Sequence, residues 1–584
     1  MPDKSDKSPD IPDRKSTIER EDARAHDGDG ADGPKPAQSG GQVTAPAGGQ
    51  ITIRAGEQFA AGGQLASLPA GPVPSGPKRA ELPPRPPSLW ERRWPGPIRA
   101  ARPMVLGTVA AAAVVAASTV PLDRPGLGWL VAVLAAVAAL VPAATGRRQA
   151  ASTRPDAPGA AGRAAERLVW VVATVALVSV GYVRAAGWLF VLCLLAAVIT
   201  GTLAVAGGRT PLGMLTAATI IPAAPFRALP WAARGLPRTG PGGATIGRSL
   251  ATVAATVGLL LVFGLLFSSA DAIFADLLAG LLPEVSAGST IGWAFRLTLF
   301  GGGLLGGAYL LAAPADLDGL RAAPARPVRR LEWAVPLALL DALFAAFVLV
   351  QLTVLFGGPA HVLRTAGLSY AQYARGGFWQ LLAVSALTLL VIAGAARWAP
   401  RDTRADRLLF RVLVGTLTVL SLVVVASALY RMQVYADAYG ATRLRLVVAT
   451  VELWLGVLFV LVGIAAVRLR AGWLPRLAVG TAVLALLGLA AVNPDRLIAE
   501  HNVDRYRQTG VIDVEYLSRL SADAVPALDR LPEPMRSCAL RDIAAALPSD
   551  RLGTTNLGRA AARDLLGPER AGESSANCLG RRSW

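Results

Sequence analysis

Two acidic residues lie inside long apolar stretches of this sequence, where an ionisable side chain is kept only for a reason. Asp341 and the nearby Gln351 fall in the stretch 334–356, and Glu452 falls in another. By helical rise, Asp341 lies about 10 Å and Glu452 about 9 Å into its stretch. An uncompensated charge in the middle of a lipid-embedded helix costs at least about 3 kcal/mol. Such side chains relay protons or ions, pair with neighbouring helices, or reach the membrane surface.

A second candidate site is a group of cations in two loops that we predict to lie on the same side of a membrane. Arg375 lies in the loop 357–380, and Arg443 and Arg445 precede the stretch 446–467. Guanidinium groups bind phosphates through two parallel hydrogen bonds, so this outer cationic patch suits lipid phosphates. The Tyr and Trp residues of the same loop also fit a simpler role, which is to anchor the chain at the membrane interface.

The sequence lacks the common signatures of catalytic sites. It has no GxxxxGK[ST] motif to hold a nucleotide and no HExxH motif, and its three His are scattered. It therefore predicts no metal site and no cofactor. An enzyme that acts on lipid-linked substrates stays an alternative, although the first predicted outer loop, 121–126, is short and carries a single acidic residue, Asp123.

The elements that position these residues are predicted to be membrane-spanning helices. Apolar residues make up 53% of the 584 residues, the mean hydropathy is +0.45, and only 17% of the residues are charged. About eleven apolar stretches approach the roughly 20 residues that cross a hydrocarbon core about 30 Å thick. They are 104–120, 127–144, 168–183, 188–206, 250–267, 297–313, 334–356, 381–396, 408–430, 446–467 and 477–492. The sequence thus predicts an all-α transmembrane bundle.

The net charge of +18 invites a nucleic-acid interpretation, because clustered cations bind phosphates through counterion release. However, all five Lys lie in the first eighty residues, and the later Arg residues flank apolar stretches. Such cations anchor the topology of a membrane protein. We therefore predict the lipid bilayer as a partner, with a further envelope protein or lipid, and no nucleic acid.

Arg residues are distributed unevenly between alternate loops. One set of loops carries 21 Arg and the other set carries 8. Since Arg-rich loops stay in the cytoplasm, we predict a cytoplasmic N-terminus and, after an odd number of spans, an extracytoplasmic C-terminus. Two stretches complicate the count. The stretch 211–229, interrupted by Pro222 and Pro225, fits a re-entrant or interfacial segment, and 269–283 fits an amphipathic helix on the outer leaflet.

Polar segments flank the predicted transmembrane domain, 87–492. Residues 1–86 are rich in Pro, Gly, Asp, Lys and Ser and show no apolar periodicity, so we predict a disordered cytoplasmic arm without a cleavable signal peptide. Residues 493–584 are predicted to form a small helical domain and tail. Asn493 is the predicted N-cap of its first helix, and a second helix is predicted to start at Asp513.

Two of the three Cys, Cys538 and Cys578, lie in this C-terminal domain and tail. In an oxidising extracytoplasmic compartment they are predicted to form a disulfide, and two free thiols are the alternative. A closed loop of about 40 residues would contribute on the order of 4 kcal/mol in the chain-entropy model. Cys193 lies in an apolar stretch and is predicted to be a small core residue.

Four segments of the sequence resemble a known family. They are FVLVQLTVLFGG at 347–358, SYAQYARGGFWQL at 369–381, YADAYGATRLRL at 435–446, and the region 493–528 with NPDRLIAEHNVDRY followed by IDVEYLSRLSADAVPAL. Over about 250–528 the chain is similar to the bacterial membrane proteins grouped as domain of unknown function 4173, which is related to the family numbered 4153. The resemblance implies a polytopic protein of the bacterial cytoplasmic membrane without an established activity. It carries over no catalytic residue.

Three functional hypotheses follow from the sequence. The first is an envelope protein in a scaffold, sensing or regulatory role, with the extracytoplasmic helical domain as a binding module and the N-terminal arm as a tether. The second is a proton- or ion-coupled transporter that uses Asp341, Gln351 and Glu452. The third is a membrane enzyme that acts on lipid-linked substrates. The sequence does not identify a substrate.

Overall fold

The structure is a computed structural model, and it describes most of the chain from residue 94 onward. The described ranges are 94–151, 160–236, 287–315, 328–356, 378–547 and 549–570, with single positions between 252 and 274 and at 317 and 320. The predicted arm, 1–86, lies outside these residues. So do Arg375 and Cys578, and most of the stretches 250–267 and 269–283.

The described chain is built from α-helices, and no strand occurs in the part that the structure describes. Eleven helices whose bounds fall in the described ranges precede the C-terminal domain. They are α1 Pro103–Thr119, α2 Leu127–Ala151, α3 Ala160–Val183, α4 Gly187–Ala206, α5 Pro211–Gly235, α6 Ala287–Ala312, α7 Arg330–Phe356, α8 Phe378–Trp398, α9 Arg404–Tyr439, α10 Arg443–Arg468 and α11 Leu474–Val492. The predicted all-α class is confirmed.

Ten of these helices, α2 to α11, are long and apolar enough to cross a membrane by length and composition, and α1 is a shorter apolar helix. Many large apolar side chains on them face outward; Leu195, Leu343 and Leu453 are each at least 60% exposed. An apolar surface of this extent is unfavourable in water and suits lipid. The chain is therefore a multi-pass membrane protein, as the sequence predicted.

Neighbouring helices alternate in direction, so their ends define two faces. Trp94, just before α1, donates a hydrogen bond of 3.1 Å to the carbonyl of Ala313, just after α6. At the opposite ends of the same two helices, Arg296 donates to the carbonyl of Val120 at 2.8 Å. The Trp94 side carries the Arg-rich loops, and we call it the Arg-rich face; the other side is the domain face.

Helix α5 is the exception, because both of its ends lie at the Arg-rich face. Thr210 at its N-terminal end donates to the carbonyl of Leu320, which follows α6, at 2.8 Å. Trp231 near its C-terminal end donates to the carbonyl of Arg99, which precedes α1, at 3.1 Å. These contacts support the predicted interfacial or re-entrant segment, although length and composition alone would permit a span.

The long helices form two groups. The first helix group, α1–α6, packs through pairs such as α1 with α2, α3 with α4 and α5 with α6, and the second helix group, α7–α10, packs mainly around α9. Within the described residues, α11 packs against α10 of the second group and against α3 and α4 of the first. Small residues permit close approach: a Cβ built at Gly456 of α10 would lie 3.3 Å from Val425 of α9.

Five helices form the described part of the C-terminal domain, 494–547 and 549–570. They are α12 Pro494–Thr509, α13 Val514–Ser518, α14 Val525–Leu528, α15 Met535–Ala545 and α16 Leu557–Arg570, with 3-10 turns at Ala522–Ala524 and Leu552–Thr554. Ile498, Leu517 and Leu528 are among the side chains of its fully buried core. Asp513 caps α13 by accepting the N–H of Tyr516 at 2.9 Å, which agrees with the predicted helix start.

The predicted capping role of Asn493 is wrong. Helix α12 does begin at Pro494, but Asn493 ends α11 in the left-handed conformation, with φ 58° and ψ 79°, and its side chain makes no capping hydrogen bond. An N-cap residue normally has extended backbone angles, which aim its side chain at the following N–H groups. The tight junction between α11 and α12 removes that geometry.

Candidate functional site

Asp495, in the first turn of α12, lies at the centre of the contact between the C-terminal domain and the helices. Its side chain is fully buried, at 0% exposure. The Arg443 guanidinium, at the start of α10, binds it through two bonds, Nη2 to Oδ2 at 2.6 Å and Nε to Oδ1 at 2.9 Å. A two-bond charge-assisted pair is among the stronger contacts that a protein makes.

Two further donors complete the surroundings of Asp495. The indole N–H of Trp188, at the start of α4, donates to Oδ1 at 3.1 Å, and the backbone N–H of Ser521 donates to Oδ2 at 2.8 Å. Burial by itself raises the pKa of Asp495, but the bonds from Arg443 and Ser521 outweigh it and hold the pKa below its usual range. Asp495 therefore stays ionised while it joins the domain to helices of both groups.

Asp523 makes a second buried contact across the same boundary. Its Oδ2 accepts the backbone N–H groups of Ala185 and Ala186, in the loop between α3 and α4, at 2.7 and 3.1 Å. These N–H groups precede α4, so a carboxylate from the C-terminal domain caps that helix. Burial raises the pKa of Asp523, and the bond from Ala185 lowers it by less.

A third contact joins the domain to the same loop and to the loop between α1 and α2. The Asn556 amide donates to the carbonyls of Gly181 and Arg184 at 2.9 and 2.8 Å. The backbone N–H of Leu127 donates to the carbonyl of Thr555 at 2.9 Å. We call the contacts made by Asp495, Asp523, Thr555 and Asn556 the docking interface. It binds loops of the first helix group and the α9–α10 connection of the second group to one domain.

The two cations of the predicted patch that the structure describes have other partners. Arg443 is engaged by Asp495, and its backbone N–H donates to the Tyr516 hydroxyl at 2.7 Å. Arg445 donates to the carbonyl of Gly440, and its guanidinium lies 4.2 Å from the ring centroid of Tyr435. Since Arg375 lies outside the described residues, the lipid-binding patch stays a prediction.

The intramembrane acids are buried in the second helix group and differ from Asp495 in their contacts. Glu452 of α10 is 1% exposed, and neither of its carboxyl oxygens has a hydrogen-bond partner among the described residues. Asp341 of α7 is 8% exposed, and its Oδ1 also lacks a partner there. Gln351 does have one, because Arg431 of α9 donates to its Oε1 at 2.5 Å.

Four smaller polar residues of the second helix group are also buried and were not predicted as site residues. They are Ser385 and Thr388 on α8 and Thr418 and Ser421 on α9. Measured along the helix axes from the Arg-rich face, these four, the two acids and Gln351 lie at depths of about 15 to 31 Å. Thr388 and Thr418 donate to carbonyls of their own helices, whereas the Ser421 hydroxyl has no partner among the described residues. Hydroxyl residues are common in transmembrane helices, so no sequence pattern separates these four from the others.

The remaining predicted site residues are the cysteines. No three His, Cys, Asp or Glu side chains in the part of the chain that the structure describes lie close enough together to hold a metal ion. Cys538 is half-buried on α15, and the predicted disulfide stays a prediction because Cys578 lies outside the described residues. Cys193 is fully buried on α4.

Comparison with known proteins gives one match. The family model described as Domain of unknown function (DUF4153) matches residues 172–531, which is more than half of the chain. No curated protein and no solved structure matches the chain. The matched family is related to family 4173, which the sequence was found to resemble. Membership of family 4173 itself is not shown. The matched region runs from within α3 to just after α14, so it includes Asp341, Glu452 and Asp495 but not α15 and α16. The chain belongs to the DUF4153 family.

Proposed function

We propose that this is a regulatory protein of the bacterial cytoplasmic membrane, whose C-terminal domain senses an extracytoplasmic signal and passes it to the two helix groups. The observation that carries the proposal is the docking interface, in which a single domain holds loops of both groups through buried polar contacts. A signal that weakens or strengthens docking would change how the two groups are held together.

The polarity of the docking interface supports regulation over permanent attachment. Asp495, Asp523 and Asn556 dock through hydrogen bonds and charge. Polar interfaces between domains of one chain resemble transient protein–protein contacts, and relative motion is the default expectation for them. A ligand that binds only the undocked or only the docked domain would therefore shift the equilibrium between the two states.

The distribution of Arg supports the orientation that this role needs. The domain face carries the loops with few Arg, and the opposite face carries the Arg-rich loops, which favours an extracytoplasmic C-terminal domain and a cytoplasmic N-terminus. The domain would then meet envelope molecules directly. The predicted N-terminal arm would serve as a cytoplasmic tether.

The test measures the distance between the helix groups when docking is broken. Spin labels are placed at the Arg-rich face, away from the domain, by Gly162→Cys on α3 and Arg404→Cys on α9; both positions are exposed. In the full-length protein in nanodiscs, Asp495→Ala and, separately, Asn556→Ala are expected to shift or broaden the distance distribution. Circular dichroism and size-exclusion elution verify that the helices remain folded.

The matched control is Arg519→Ala, which removes an exposed ion pair with Glu515 in the same domain. We expect no change in the distance distribution, because exposed pairs contribute about 0 to 1 kcal/mol. An unchanged distribution in both docking variants, with the domain shown to be undocked by proteolysis at its boundary, would contradict a regulatory coupling.

A second candidate function is proton- or ion-coupled transport, and it is favoured by a separate observation. Glu452 and Asp341 are buried carboxyl groups with oxygens that lack hydrogen-bond partners among the described residues. A membrane protein keeps such groups at a cost, and proton relays are built from them. The same helix group also buries four hydroxyl residues, Ser385, Thr388, Thr418 and Ser421.

The transport candidate is tested in proteoliposomes that contain a pH-sensitive dye, with a potassium diffusion potential as the driving force. We expect the wild-type protein to acidify or alkalinise the lumen, and Glu452→Gln and Asp341→Asn to reduce the rate at least about tenfold. Asp437→Asn, on an exposed carboxylate of α9, is the control and should have no effect. Equal rates in wild-type protein and in both variants would remove this candidate.

A further inference from the structure

A short turn of the C-terminal domain exposes an apolar side chain at the domain face. Leu552 begins the 3-10 turn Leu552–Thr554, which we call the Leu552 turn, and 82% of this residue is exposed. Other large apolar side chains that the domain exposes, such as Leu557 and Leu565, are less than half exposed. The docking interface does not use Leu552, so its exposure calls for another explanation.

Hydrogen bonds hold the Leu552 turn in one conformation. The backbone N–H of Arg551 donates to Oγ1 of Thr554 at 2.8 Å, and the backbone N–H of Thr554 donates to the carbonyl of Arg551 at 2.9 Å. The hydroxyl of Thr555 donates to the same carbonyl at 3.1 Å. Leu552 is therefore presented outward by an ordered turn.

The Leu552 turn lies directly over the ends of two apolar helices. A Cβ built at Gly553 would clash with the carbonyl oxygen of Thr119, the last residue of α1. A Cβ built at Gly126, just before α2, would lie 2.7 Å from the carbonyl oxygen of Gly553. Glycine at these two positions permits the close approach of the backbones. The turn thus lies where the apolar helices α1 and α2 end at the domain face.

Two indole rings mark the membrane boundary at this level. Trp129 of α2 donates from Nε1 to the carbonyl of Pro121 at 3.0 Å, and Trp293 of α6 donates from Nε1 to the Ser118 hydroxyl at 3.1 Å. Trp is enriched where the hydrocarbon core meets the headgroups, because its ring is apolar and its N–H needs a polar partner. The two acceptors flank the last residue of α1, on which the Leu552 turn lies. The exposed leucine is therefore at the height of the lipid headgroups and upper acyl chains.

We propose that the Leu552 turn binds the lipid bilayer, with the Leu552 side chain inserted into the leaflet at the domain face. Arg551 is exposed beside it and can extend its guanidinium to the headgroups, as long cationic side chains do at membrane surfaces. Leu122, in the loop between α1 and α2, is 54% exposed and adds apolar surface at the same end of these helices. The contact is independent of the proposed regulatory function, since a permanently docked domain would make it too.

The first measurement places an environment-sensitive fluorophore at the turn. Leu552→Cys in the full-length protein is labelled with a nitrobenzoxadiazole reagent and reconstituted in phosphatidylcholine nanodiscs, and labelled wild type gives the background from the native cysteines. We expect blue-shifted emission that is quenched by phosphatidylcholine with a doxyl group on its upper acyl chain. The matched control is Asp437→Cys. The Asp437 side chain is 61% exposed and lies about 50 Å along α9 from its start, which exceeds a hydrocarbon core of about 30 Å. Its probe should emit as in water and resist quenching.

The second measurement asks whether the inserted side chain helps to hold the domain in place. The backbone N–H of Leu127 donates to the carbonyl of Thr555 in the docking interface, so its hydrogen exchange in nanodiscs reports on docking beside the turn. Leu552→Asp is expected to speed this exchange about tenfold or more, because it removes the apolar contact and places a charge among the lipids. Leu552→Ile keeps the apolar contact and should stay within about twofold of the wild type.

Three results would overturn the proposal. Blue-shifted emission at residue 552 without quenching by the doxyl lipid would mean that protein, such as a second copy of the chain, covers the turn. Emission at residue 552 that matches the probe at residue 437 would mean that the turn lies in water. Unchanged exchange of the Leu127 amide in Leu552→Asp would mean that the side chain makes no contact that supports docking.

Discussion

The docking interface and the second helix group both bury carboxyl groups, but they treat them in opposite ways. Asp495 is fully buried and accepts hydrogen bonds from three different segments of the chain, including two from Arg443. Glu452 is equally buried, yet both of its oxygens lack partners among the described residues. Burial alone therefore does not distinguish a carboxyl that holds the structure together from one that is kept for another purpose. The hydrogen-bond partners of the two carboxyl groups do distinguish them.

The difference has a direct energetic meaning. A satisfied buried charge makes the structure depend on its partners, because the loss of one partner leaves the other buried and uncompensated. An unsatisfied buried polar group lowers stability, so its removal is neutral or favourable for folding. Substitutions at Asp495 and Glu452 should thus change stability in opposite directions.

The largest expected effect is at Asp495. Asp495→Ala leaves the Arg443 guanidinium without its anion. It should destabilise the docked state by roughly 3 kcal/mol or more. Native-state hydrogen exchange of the Ala186 amide, which donates to Asp523 across the same interface, measures this loss. A double variant, Asp495→Leu with Arg443→Met, should recover much of it. A loss below about 1 kcal/mol for Asp495→Ala would erase the contrast with Glu452.

The second effect has the opposite sign. Glu452→Leu replaces an unpartnered carboxyl with an apolar side chain of similar volume and should raise the free energy of unfolding by about 1 to 3 kcal/mol. The thermal unfolding midpoint in detergent is the measurement, with Leu453→Ala on the exposed side of the same helix as the control. Destabilisation by Glu452→Leu would mean that this carboxyl has a stabilising partner after all.

The third effect is a pH dependence of docking. The pKa of Asp495 in the folded protein lies below its ordinary value of 3.8, so its contribution to docking is complete above about pH 4 and is lost as the pH falls further. Asp523 has a raised pKa, so its protonation favours docking at low pH and partly offsets that loss. Proteolysis of the domain boundary should become faster in acid for the wild type. Asp495→Asn should remove the increase in proteolysis rate at low pH. If that variant shows the same pH profile as the wild type, the pH dependence does not come from Asp495.

The smallest effect compares two buried hydroxyl groups. Ser518 of the C-terminal domain donates to Asp542 at 2.7 Å, whereas the Ser421 hydroxyl of α9 has no partner among the described residues. Ser518→Ala should therefore lower the free energy of unfolding by about 1 kcal/mol, and Ser421→Ala should leave it unchanged within about 0.5 kcal/mol. Chemical denaturation of both variants decides the comparison. Equal losses of stability at the two positions would show that the Ser421 hydroxyl, like that of Ser518, makes a stabilising hydrogen bond.

Much of the membrane architecture could be predicted from the sequence because lipid imposes a simple rule. A span needs a long apolar stretch, and each of the predicted stretches within the described residues lies in a helix or extends one residue beyond its end. The prolines of the stretch 211–229 and its position among Arg-rich loops identified α5 as unusual. The depths of Asp341 and Glu452 followed from helical rise alone.

The docking interface could not be predicted in the same way. The importance of Asp495 depends on Trp188, which is 307 residues away in sequence, and on Arg443, which is 52 residues away. Neither spacing has a local periodicity that a sequence pattern could reveal. Asn493 illustrates the converse, since a favourable local signal for a helix cap was overridden by the junction between two helices.

Helix α5 is expected to take up area in only one of the two leaflets of the bilayer. Leu215 and Phe226 on its outward side are 70% and 74% exposed, while both of its ends stay at the Arg-rich face. An apolar helix at this depth takes up area among the headgroups and upper acyl chains of one leaflet only. We therefore expect α5 to favour a membrane in which the leaflet at the Arg-rich face is already expanded.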